Sequence, residues 1–251
     1  MHAFTSTRPS DAFRRPIRVA DATAGISDRA AFLRRTYGYL GGALITFALI
    51  SGGMMAAFPQ TSLALSRWAL GGPWSWLLVL GLFMLVGYAA ERLAWSATSR
   101  ALQHVGLGLA VLAQGLLVQP LLWTAIGTLG AASALAVIAQ ATTITLAVFV
   151  GLTATAFLSR RDFSFLRGAL VIASFAALGT VLAAALFGFS LGAVFAGAMI
   201  LLMAGYILFQ TSMVMKDFPP TAHVAAALML FSTVATLFWY VLQLLMSLRR
   251  D

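Results

Sequence analysis

Six polar side chains interrupt two long apolar runs near the end of the chain, and they are the residues best placed to do chemistry. Gln210, Thr211 and Ser212 lie in the first run, and Ser232, Thr233 and Thr236 in the second. A short polar turn holding Lys216, Asp217, Pro219 and Pro220 separates them. Amides and hydroxyls donate and accept hydrogen bonds, but neither gains nor sheds a proton near neutral pH. Two carboxylates pressed together in such a setting would split their titrations and respond to protons or cations. An amide and a hydroxyl can only fix the contact between two helices. An unpartnered polar group in hydrocarbon costs several kcal/mol, so all six are expected to face one another or the interior of a bundle. A further polar group, Gln140, Thr142, Thr143 and Thr145, sits in the middle of an upstream run. Gln140 and Thr143 are expected to support the same polar core. All seven acidic residues (Asp11, Asp21, Asp28, Glu91, Asp162, Asp217 and Asp251) fall in tails, loops or run ends.

The elements that position these groups follow from composition. The chain has 251 residues, 61% of them hydrophobic and 9% charged, against about 25% charged in soluble domains. The apolar residues come in runs long enough to cross a bilayer and not as one amphipathic stripe. This predicts an all-α polytopic membrane protein, a bundle of seven transmembrane helices. The spans are expected at about 36–57, 74–90, 101–122, 131–158, 163–187, 191–215 and 222–248. Gly38, Gly41 and Gly42 in the first give small-residue spacing for a close helix neighbour, and Trp74 and Trp76 anchor the second at an interface. Residues 1–30 are polar, with five arginines and three aspartates, and read as a disordered basic cytosolic tail preceding a seven-span domain over 31–251. The tail lacks the apolar core of a secretory signal, and its aspartates argue against a transit peptide. The absence of cysteine excludes disulfides and thiol chemistry.

A net charge of +9 would ordinarily raise nucleic acid as a partner. Here the basic residues sit at run ends, so the lipid bilayer is the expected partner and nucleic acid is not. With a cytosolic amino terminus, 13 basic residues fall on the cytosolic side and 3 on the other, the bias that the positive-inside rule expects. The carboxyl terminus then lies outside. A re-entrant last segment would return it to the inside; the length of the run favours a full crossing.

Three stretches resemble the Bax inhibitor-1 family of seven-span membrane proteins: Arg35-Thr36-Tyr37 opening the first span, the loop Phe157 to Leu166, and Gly205 to Ser212 in the sixth span. The resemblance covers about residues 30–251. It implies that Gln210 matches the first aspartate of a pair carried by the calcium- and proton-responsive members, with Thr233, or alternatively Ser232, matching the second. Both charges are therefore absent. Loss of the pair is a feature of the YccA branch, whose bacterial members associate with the membrane protease FtsH. The resemblance thus implies an inner-membrane interaction protein modulating FtsH-type turnover. The alternative is a pH- or calcium-linked leak channel or transporter, with Gln114, Gln119, Gln140 and Gln210 along a polar route. The expected location is the bacterial inner membrane, with the carboxyl terminus periplasmic; the mitochondrial inner membrane is the alternative.

The remaining candidates carry less. His2, His104 and His223 are too scattered for a metal site, and neither metal nor cofactor is expected. Arg160 and Arg161 read as positive-inside anchors, with partner or anionic-lipid contact as a second role. Asp162 stands where a helix wants a capping side chain, with Ser164 able to share that role; partner contact is the other reading. Glu91 and Arg92 mark a membrane boundary. Gly106 and Gly108 serve helix packing, since no strand-and-phosphate-loop context surrounds them. No nucleophile with a base and an orienting group is present, so no enzyme is expected.

Overall fold

A computed structural model describes residues 19–96, 99–159 and 162–249. Among them the chain is helical with no strand: α1 (Val19–Ala57), α2 (Pro59–Ala69), α3 (Pro73–Ala94), α4 (Arg100–Leu117), α5 (Gln119–Leu129), α6 (Ala131–Ser159), α7 (Leu166–Phe187), α8 (Ala193–Lys216) and α9 (His223–Leu248). Seven stretches are long and apolar enough to span a bilayer, with α4 and α5 together making the third. The protein is a seven-helix transmembrane bundle.

The last span is its axis. α9 is the most buried of the seven and touches α8, α1, α6, α4, α3 and α5. Its sequence explains the position. Ala225, Ala226, Ala227 and Ala235 let neighbours approach, and Val224, Leu230, Phe231, Leu237 and Leu242 fill the space between them. Its polar Ser232, Thr233 and Thr236 and its small residues favour helix neighbours over lipid. Continuous helix over 26 residues gives about 39 Å of length, enough to cross, so the last segment does not turn back. α7 is the least buried span and touches only α8 and α3 to any extent.

Several boundaries differ from those expected. Residues 19–30, assigned above to the polar tail, are helical and prolong α1; residues 1–18 lie outside the described residues. The polar stretch after the first span contains a helix, α2, started by Pro59 in its first turn, where a missing N–H costs nothing. The third span is broken at Val118, where Pro120 removes an amide from the ladder. α7 starts at Leu166, three residues later than expected. It stops at Gly188, whose φ of 74° is the left-handed conformation that ends helices without a Cβ penalty.

Of the glycines expected at close helix contacts, Gly106 makes one and the others do not. Gly38, Gly41 and Gly42 have nothing within 4 Å of where a Cβ would stand. A Cβ on Gly106 would instead sit 2.5 Å from the Ala90 carbonyl oxygen and 2.7 Å from the Ala94 nitrogen, so α4 lies directly against α3 there. Gly115 meets Ile50 of α1, and Gly205 meets Leu170 of α7, in the same way. Gly108, two residues from Gly106, faces open space.

Candidate functional site

The α8–α9 contact brings Gln210 and Thr233 together. The Thr233 hydroxyl donates to Gln210 Oε1 at 2.8 Å, and it also lies 3.2 Å from the Met229 carbonyl of its own helix. Both residues are more than nine-tenths buried, at 8% and 7% exposure. Ser232 makes no bond to Gln210; it lines the same cavity from one residue away. That cavity, about 650 Å³, lies among α3, α7, α8 and α9, and its rim carries the exposed Glu91 and Asp217. The pair therefore borders an open, largely apolar recess with charged groups at its rim, and not a sealed core.

Thr236 lies one turn further along α9. Its hydroxyl donates to the Ser232 carbonyl at 2.8 Å, satisfying itself within the helix. Thr236 lines this cavity and also a second one of about 430 Å³ on the far side, which reaches Trp76, Gln114, Gln243 and Ser247. The two recesses thus approach each other across a single residue.

Thr211 and Ser212 are buried on α8 but face away from the pair. The Phe163 N–H approaches the Ser212 hydroxyl at 3.4 Å, tying the loop before α7 to α8. The Thr211 hydroxyl stands beside those of Tyr37 and Thr153, and all three are buried without a hydrogen bond of good geometry. The Tyr37 ring packs on Phe157 at 5.9 Å. The three stretches that carried the family resemblance, far apart in the chain, meet at one end of the bundle.

Gln140 and Thr143 are not part of this core. Both are exposed on α6; Gln140 accepts from Arg249 Nη2 at 3.0 Å, and Thr143 donates to the Ala139 carbonyl. A threonine satisfied by its own backbone can face lipid, which is why the polar middle of α6 does not have to turn inward. The buried member of that group is Thr145.

Asp162 does not cap a helix. Its Oδ1 accepts the Ser164 N–H at 2.9 Å, closing a turn ahead of α7, whose start has no side-chain cap. That bond, more than any other contact, lowers the Asp162 carboxyl below its ordinary range. Arg160 and Arg161 lie outside the described residues. Arg92 Nε bonds Tyr88 and not Glu91. His104 and His223 both pack on Tyr39, at 5.2 and 5.4 Å, and His104 bonds its hydroxyl. Among the described residues no group of three His, Asp, Glu or Cys comes together.

Two features had no expectation attached. Arg29, placed in the tail by its sequence context, donates to the carbonyls of Val214, Met215 and Phe218 at 2.6, 2.8 and 2.6 Å. It closes the last turn of α8, where carbonyls lack helical partners. On the opposite side, Gln119 accepts from Ser62 at 2.7 Å and donates to the Gly115 and Ser51 carbonyls, while Trp123 Nε1 donates to Ser62. This network docks α2 onto α5.

The model of the family described as "Inhibitor of apoptosis-promoting Bax1" matches residues 29–250. The chain belongs to the Bax inhibitor-1 family. The match opens at Arg29, the residue that pins α1 to the end of α8. A protein of Schizosaccharomyces pombe named Bax inhibitor 1 is 32% identical over 248 residues, covering 96% of this chain and 85% of that one. An "Uncharacterized membrane protein" of Vibrio cholerae is 36% identical over 114 residues, 43% of this chain and 49% of its own length. As a Bax inhibitor-1 family member the protein is multi-pass, and its buried amide–hydroxyl bond stands beside a cavity.

Proposed function

We propose that this Bax inhibitor-1 family member is an interaction protein of the YccA type, regulating turnover of membrane proteins by an FtsH-type protease. The observation that carries the reading is the bond between Thr233 and Gln210. Two neutral groups satisfy each other where a paired carboxylate would titrate, so the contact joins α8 to α9 at all physiological pH values. By motif, Gln210 and Thr233 stand at the positions of the family's aspartate pair. Ser232 and Thr236 add polar groups to the cavity beside them, while Thr211 and Ser212 face the other side of α8. The protein sits in a bacterial inner membrane, with a mitochondrial inner membrane as the alternative. Its basic end faces the cytosol, as the distribution of arginines favours, and its carboxyl terminus lies on the periplasmic side. The tail, the loop of Arg160, Arg161 and Asp162, and the α8–α9 turn are then the surfaces a cytosolic protease domain would meet. Tagged protein extracted in mild detergent is expected to recover an FtsH-type protease; recovery of none would remove the support.

A second reading, a conduit, rests on the two cavities that approach Thr236 from opposite ends. Its requirement is a path through the waist that Thr236 makes. If purified protein in liposomes passes ions above empty vesicles, and Thr236→Leu blocks that flux, the conduit replaces the regulator.

A further inference from the structure

We propose that the recess between the middle of α1, the start of α4 and the α8–α9 turn, lined by Arg35, Arg100 and His223, binds a phosphate group. The recess holds about 570 Å³ and is separate from the cavity of Gln210 and Thr233, although Ala94, Trp95 and the Pro219 turn form a wall common to both.

Four observations converge on an anion. Arg35 and Arg100, from different helices, line one concavity whose walls hold no carboxylate among the described residues. Guanidinium groups present paired donors that match phosphate oxygens. Both lie near His223, as does His104, so two guanidinium charges from different helices are held beside two imidazole rings. Two helices also begin here. Ser99 and Arg100 open α4, Ala222 and His223 open α9, and neither start is capped by a side chain. Unpaired first-turn amides and the helix dipole favour an anion at each start. Finally, Ser96, Ser99 and Thr221 add polar groups to the wall beside the half-buried His223 ring.

Size and place select phosphate over a bare carboxylate. The volume falls in the range that holds a small organic ligand, roughly 300–1,000 Å³. The recess lies where α4 and α9 begin, at the ends of two candidate spans, the level at which lipid phosphates are expected. The bound phosphate belongs either to an anionic lipid headgroup reaching in from the side or to a soluble phosphorylated molecule arriving from the aqueous face.

The full chain tests this in two arms. In the first, protein is extracted from vesicles of phosphatidylcholine mixed with phosphatidylglycerol, and lipids that remain bound are weighed by native mass spectrometry. In the second, inorganic pyrophosphate is titrated into detergent-solubilised protein and heat is measured. Selective retention of phosphatidylglycerol assigns the site to a headgroup; pyrophosphate binding assigns it to a soluble ligand. In whichever arm gives binding, Arg35→Gln with Arg100→Gln is expected to weaken it roughly tenfold or more. Arg167→Gln, outside the recess, is expected to leave it unchanged. Arg35→Lys and Arg100→Lys keep the charge without the fork, are the milder variants for folding, and are expected to bind with intermediate strength. No binding by the wild type in either arm, or equal binding by wild type and the Arg35 and Arg100 variants, overturns the proposal.

Discussion

The Thr233 hydroxyl proton is shared between the Gln210 amide and the Met229 carbonyl, so replacing the hydroxyl by a methyl removes both bonds and leaves a buried amide oxygen unpaired. Thr233→Val keeps shape and is expected to destabilise the bundle by about 0.6–2 kcal/mol, read as a lower melting temperature in detergent; Thr233→Ser is expected to retain most of it. Asp162 makes a pH prediction of different reach. Its carboxyl is lowered chiefly by the Ser164 N–H, so the turn is favoured above the ordinary carboxylate range and loosens as pH falls through the lowered value. Hydrogen exchange at the Ser164 amide should therefore lose protection in acid, and Asp162→Asn should abolish that dependence. The side chain is exposed, so global stability is expected to stay unchanged. Residue chemistry was legible where a partner had to exist, as for Gln210. It was not legible at Gln140 and Thr143, because a helix offers threonine its own carbonyl and nothing in the spacing says which way the face turns.

Among the helices, two contacts set the arrangement around α9. Arg29 ties α1 to the end of α8 through three carbonyls, and its ring contact with Phe32 at 4.9 Å holds the guanidinium in place. Arg29→Ala is expected to cost about 1.5–3 kcal/mol, the range for hydrogen bonds to a charged group, and to increase protease cleavage in the α8–α9 turn. Gly106→Ala forces a methyl into the α3 backbone and is expected to cost about 1–3 kcal/mol, whereas Gly108→Ala, facing open space, is expected to be neutral or slightly stabilising. Melting curves of the two variants side by side check this. Hydrophobic length revealed the seven spans because lipid imposes it. The break at Val118 was foreshadowed only by Pro120. α2 went unseen because its docking side is largely polar: two of its three buried residues are Ser62 and Ser66, the third being Ala69, and the serines donate to Gln119 and to the Ser62 carbonyl. An amphipathic reading looks for apolar residues there. Arg29 was hidden for a related reason, since a lone arginine in a charged segment carries no local sign of its distant carbonyls.

At the scale of the whole molecule, a central α9 is held by six neighbours, with recesses entering from both ends and a neutral pair beside one of them. Family membership fixes the bundle; on the function proposed above, the neutral pair Gln210 and Thr233 would leave the α8–α9 contact without a proton- or cation-responsive group. The most direct test is calcium and proton flux through the purified protein in liposomes, followed between about pH 5 and 8, where a perturbed carboxylate pair would titrate. The expected result is flux equal to that of empty vesicles at every pH. A flux that rises or falls with acidity, and that Gln210→Ala or Thr233→Ala alters, would contradict it.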